Sequence, residues 1–158
     1  MAPKPVKRKP AAARGSELAI SPESVEIDFV ILADFAQAAQ GKLNLIGGGW
    51  NLHNANQYPS TLQFGLGIGI LVPWSQTNRK HDFTFVIKGS EGPELAKGGG
   101  QFEMGREAGI PAGMTQRVTI GLSGQLQIPQ PGTYEVIVAA AHVEKRVTFE
   151  ALHAPRTR

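Results

Sequence analysis

The sequence contains no cysteine. That absence excludes a disulfide framework, a thiol nucleophile and any Cys-ligated zinc centre. Charged residues are scarce at 18%, against ~25% in an average globular domain. No apolar run approaches the ~20 residues of a membrane-spanning helix, so no membrane partner is expected. The four histidines, His53, His81, His142 and His153, include no pair at i,i+2 or i,i+4 and no H-E-x-x-H. No metal or other cofactor is therefore expected. There is no G-x-S-x-G, and Ser75, Ser90 and Ser123 lack any motif context for nucleophilic catalysis. No 20–50-residue repeat is present, which argues against a solenoid or propeller.

What the chain does have is glycine (19) and proline (11) in 158 residues. That composition favours turns over long helices. The length suits one domain, large enough to hold a core without staples.

Charge is divided unevenly. Residues 1–14 carry Lys4, Lys7, Arg8, Lys9 and Arg14 and no acid, and the C-terminus adds Arg156 and Arg158. The stretch 15–155 holds nine cations and all 13 acids. The basic character therefore belongs to the ends, and the body is mildly acidic. Pro3, Pro5 and Pro10 exclude regular helix or sheet from the first segment. This divides the chain into a basic arm (1–20), a folded body (21–153) and a basic tail (154–158). The arm lacks the apolar core of a secretory signal, and its prolines spoil the amphipathic helix of a transit peptide. A cytoplasmic or virion location is the expectation.

Hydrophobic alternation marks the strands. Val25, Ile27, Phe29 and Ile31 alternate, with Val30 and Leu32 making the second half apolar on both faces. A helical reading of Ile31–Gln40 competes with this strand. Gln40-Gly41 turns the chain into the short strand 42–46, forming a hairpin with or without a helical turn at its tip. In 61–72, Leu62, Phe64, Leu66, Ile68 and Ile70 line one face, and Gln63, Gly65, Gly67 and Gly69 the other. A face without side chains fits a sharply coiled strand, or something lying flat upon it. Further runs cover 82–88, 95–104, 116–128, 133–141 and 146–152, with Gly121 and Gly124 as expected bends. Eight or nine short strands and at most one short helix predict an all-β fold, an antiparallel, jelly-roll-like β-sandwich.

Candidate chemistry is thin. Gly47-Gly48-Gly49 lacks the Lys-Ser/Thr of a phosphate loop. Asp34, an acid within an apolar stretch, reads as a hydrogen-bonded structural carboxylate or as a buried general acid. His81-Asp82, beside Arg79 and Lys80, is the densest polar cluster. Trp50 and Trp74 look exposed, and with His53 and His81 they form a candidate partner or ligand surface. In P-Q-P-G-T-Y, Gly132 permits a turn, and Tyr134 can bury its ring while its hydroxyl finds an acceptor.

The segments VEIDFVILADFA, GKLNLIGGGW, VPWSQTNRKHDF and PQPGTYEV are similar to those of an uncharacterised family of small, β-rich bacterial proteins common in actinobacteria, over about residues 25–152. The resemblance implies domain limits and a β fold, and carries no activity or site residue. The expectation is a non-enzymatic structural or assembly protein, its arm contacting a neighbouring subunit or a larger, possibly virion-like, shell. The alternative is a nucleic-acid- or ribosome-associated protein that binds polyanion through Lys4, Lys7, Arg8, Lys9 and Arg14. A ligand-binding or enzymatic sandwich built on Trp50, His53, Trp74 and His81 is the third reading.

Overall fold

A computed structural model describes residues 24–156. The strands in chain order are β1 (Glu26–Ala33), β2 (Phe35–Ala39), β3 (Lys42–Ile46), β4 (Leu52–Ala55), β5 (Ser60–Val72), β6 (Lys80–Gly89), β7 (Glu94–Glu103), β8 (Gln116–Ile128), β9 (Gly132–Ala140) and β10 (Val143–His153). The helical content of the described residues is one 3-10 turn, Trp74–Gln76. The all-β expectation holds.

Two sheets form the body: β1-β5-β8, and β4-β10-β9-β6-β7. Their inner faces share one core. Leu62, Phe64, Leu66, Ile68, Ile70 and Val72 of β5 meet Phe83 and Ile87 of β6, Val136 and Val138 of β9, and Phe149 of β10. Alternation along β5 dictates this, because every second side chain faces the same way. The sheets are antiparallel except at one edge, where β4 runs parallel to β10. No apolar alternation marks this four-residue strand.

The predicted strand at 25–36 is in fact two elements. A bulge between Ile27 and Phe29 in the β1–β5 register leaves Asp28 as the extra residue. A bulge shifts the side-chain alternation by one. Ile27 before it and Val30 and Leu32 after it are buried, so Val25, Ile27, Phe29 and Ile31 do not share one face. Lys145 Nζ donates to the Asp28 carbonyl at 2.9 Å, linking β10 to the bulge. At Asp34 the chain bends, and β2 pairs with β3 as a hairpin. Gln40 and Gly41, at φ 51° and 70°, close it as a two-residue turn. The helical alternative for 31–40 and the helical turn at the tip are both excluded.

The β2–β3 hairpin forms a third layer on the outer face of β1-β5-β8. A Cβ on Gly65 would sit 2.5 Å from the Phe35 carbonyl carbon, and one on Gly121 2.5 Å from that of Gln37. Leu43 and Leu45 lie over Gly67, and the Phe29 ring lies over Gly69. The glycine face of β5 is therefore a seat for the chain's own hairpin. Gly121 and Gly124 are not bends. They lie within a continuous β8 that pairs with β5 from Ser60↔Ile128 to Val72↔Gln116.

Candidate functional site

The sequence-derived site residues separate. Lys4, Lys7, Arg8, Lys9 and Arg14 lie outside the described residues. Trp50 and His53 fall on the β4 side of the five-stranded sheet. Trp74 and His81 fall at the β6–β7 side. Strands β10 and β9 stand between β4 and β6, a spacing of roughly 14 Å for three inter-strand steps. The structure therefore does not bring the four into one pocket.

On the β4 side, Trp50 packs edge-on against Phe149, ring centroids 5.7 Å apart. Its indole N–H is buried and has no acceptor among the described residues. His53 Nε2 meets Ser60 Oγ at 2.9 Å, joining the two sheets at their open end. Burial lowers the His53 pKa from its ordinary 6.5, because desolvation penalises the imidazolium. The Tyr58 ring stands edge-on to both His53 and His153, and its hydroxyl donates to the Leu152 carbonyl at 2.8 Å.

On the other side, Trp74 is part of a latch. The Arg106 guanidinium sits 4.3 Å from the Trp74 ring centroid. Arg106 Nε donates to Thr77 Oγ1 at 2.6 Å, and Nη2 to the Trp74 carbonyl at 3.0 Å. The Thr77 hydroxyl donates to that same carbonyl at 2.7 Å. These bonds satisfy a buried threonine, as burial of a polar side chain demands. Trp50 and Trp74 are both half-buried and packed, so the expectation of two exposed tryptophans is corrected.

His81 stacks on Phe102 with centroids 5.3 Å apart, and its Nε2 lies 2.9 Å from the Gln76 carbonyl. A carbonyl only accepts, so Nε2 carries the proton. His81 lines an open cleft of about 410 Å³ with Ser24, Gln76, Lys80, Asp82 and His142. His142 belongs to the β9–β10 turn and was not singled out from the sequence. The available signal was an Ala-His pair spaced as a two-residue turn between alternating runs, where Asn-Gly is the rule. Among the described residues no group of three or more His, Asp or Glu side chains could hold a metal ion.

Asp34 is exposed at the β1–β2 bend, so the premise of a buried general acid falls away. Its carboxylate occupies the space a Gly47 Cβ would need, and its amide donates to the Ile46 carbonyl at 3.0 Å. Gly47, at φ 60°, thus accommodates a structural aspartate. Tyr134 behaves as its motif suggested. Its ring is buried and stacked on Phe149, and its hydroxyl donates to the Gln130 carbonyl at 2.6 Å.

The model of DUF6941, a family of unknown function, matches residues 28–148. The chain belongs to that family. The match runs from the β1 bulge into β10, so both sheets and the hairpin layer lie largely within the DUF6941 region, and the basic arm lies outside it. No curated protein matches the chain. No helix among the described residues is long and apolar enough to cross a membrane.

Proposed function

We propose that this DUF6941 protein is a non-enzymatic assembly module, a β body that packs in a larger protein assembly and contacts a neighbour through its basic N-terminal segment. The division of charge carries the reading. Five cations and no acid stand in residues 1–14, while acids outnumber cations 13 to nine in 15–155. A cationic segment on one copy and an anionic body on the next are complementary, which steers association and fixes register.

Exposed apolar side chains support the same reading. Phe35 and Ile46 are directly paired across the hairpin and are 37% and 64% exposed. Leu52 and Leu152 stand exposed on adjacent β4 and β10. Apolar groups presented together rather than singly mark interaction surfaces.

The test replaces Lys4, Lys7, Arg8, Lys9 and Arg14 with Ser in the full chain and follows sedimentation. The expected result is an assembly that shrinks towards monomer while the circular dichroism of the body is unchanged. An assembly of unchanged size overturns the reading. The five cations without an acid also favour a polyanion partner. If so, the affinity of the unaltered chain for a nucleic acid would fall steeply with salt, with a log–log slope of at most about −4.5 on duplex DNA.

A further inference from the structure

Two hairpins in this fold close with two-residue turns that require positive φ at both positions. Gln40-Gly41 meets the requirement with glycine at the second position. The β9–β10 turn does not. Register pairs Ala140 with Val143, leaving Ala141 and His142 as the turn, at φ 51° and 105°. A turn of this class strongly prefers Asn-Gly or Asp-Gly, because a Cβ crowds the backbone at positive φ. His142 is thus a side-chain-bearing residue held where glycine belongs. Strain of this kind persists where the surroundings over-determine it, and it clusters at ligand clamps.

The surroundings of His142 are a cleft. The turn overhangs β6, with the Ala141 amide donating to the Asp82 carbonyl at 3.3 Å. His142 there joins His81, Lys80, Gln76 and Ser24 around the 410 Å³ opening. Asp82 also lines it, and Asp82 Oδ1 accepts from Gln101 Nε2 at 2.8 Å. His81 is fixed by the Gln76 carbonyl and the Phe102 ring. The Lys80 ammonium, the His142 imidazole and the Ser24 hydroxyl line the opening, whereas His81 already gives its Nε2 proton to the Gln76 carbonyl and the Asp82 carboxylate already accepts from Gln101. That donor set suits an anionic oxygen group, since charge-assisted bonds from Lys and His to such oxygens are the strong ones.

We propose that this cleft binds a small anion through a phosphate or carboxylate group, and that His142 is kept in its strained conformation to contact it. The site is built from described residues alone and does not rest on the assembly reading.

The experiment titrates the full chain with inorganic phosphate and, separately, with acetate, following backbone amide shifts of residues 76–82 and 140–143. Saturable shifts with at least one anion are expected. His142→Gly should raise the melting temperature, because glycine accepts φ 105° freely, and should weaken binding by about tenfold through loss of one charge-assisted bond. His142→Asn tolerates positive φ and should give the same pairing of effects. Lys80→Ala should weaken binding without changing the melting temperature. The proposal is overturned by non-saturable shifts with both anions. It is also overturned if both His142 variants keep full affinity, or if His142→Gly melts lower than the unaltered chain. Which anion saturates distinguishes a phosphate-bearing ligand from a carboxylate-bearing one.

Discussion

Ser123 and Ala36 satisfy each other twice: the Ala36 amide donates to Ser123 Oγ at 2.9 Å, and the Ser123 hydroxyl donates to the Ala36 carbonyl at 2.8 Å. Ser123 lies on β8 and Ala36 on β2, so one hydroxyl clips the hairpin layer to the sheet beneath it. Ala36 is 3% exposed, which leaves water little access to those backbone groups. Ser123→Ala should therefore cost about 1–3 kcal/mol, the penalty for stranding a buried donor and acceptor. Urea unfolding checks this. Amide exchange adds a sharper readout, with the largest rise in rate expected at Ala36. A loss of stability with no change in exchange across Phe35–Ala39 would place the effect elsewhere.

Gly121 sets how close that hairpin can come. A Cβ there would meet Gln37 and Ala38 backbone atoms at 2.5–2.6 Å, and backbone cannot rotate aside as a flexible side chain can. Gly121→Ala should cost about 3 kcal/mol or more, at the upper end for overpacking. Gly105→Ala is the matched control. Nothing lies within 4 Å of its added methyl, and its φ is not in the left-handed region. It should change stability by less than about 0.5 kcal/mol. Equal losses for the two variants would show that the glycine seat is not the cause.

The sequence carried the layers better than their joins. The alternation of Leu62 through Ile70 announced a strand with a core face, and its Gly65-Gly67-Gly69 face announced that something lay flat against it. What lay there was not readable, because the answer depends on the chain bending at Asp34 and folding back over a strand ~30 residues away. Local pattern contains no such distance. The bulge at Asp28 was hidden for a related reason. Phe29 and Ile31 look like core by spacing, yet one extra residue turns them outward to cover Gly69 and to pack beneath Gly48. The parallel pairing of β4 with β10 left no trace in Leu52–Ala55, where only tertiary contact defines the strand. Among the candidate residues, residue type suggested a common surface for Trp50, His53, Trp74 and His81, but topology put two strands between the pairs. His81 did fall in a cleft. Its strained neighbour His142 arrives there because β9 pairs with β6, a relation that no local motif encodes.

His53 gives the fold a pH dependence whose sign follows from its surroundings. Its side chain is withdrawn from water between Ser60 and the Tyr58 ring, and its pKa lies below the ordinary 6.5. In the unfolded chain the imidazole takes up its proton near 6.5, while in the folded chain it does so only at lower pH. Between those two values the unfolded state binds more protons, so stability rises with pH across that window. The contribution is fully present above 6.5. It is lost as pH falls from there towards the folded-state value, and below that value the slope vanishes. Unfolding free energy measured by urea titration through this range should fall on acidification, and His53→Gln, which cannot take up a proton, should flatten the curve. The difference between the two profiles isolates His53, because His81, His142 and His153 are present in both proteins. If the His53→Gln profile ran parallel to that of the unaltered chain, desolvation of this imidazole would not be what couples the β4 edge to pH.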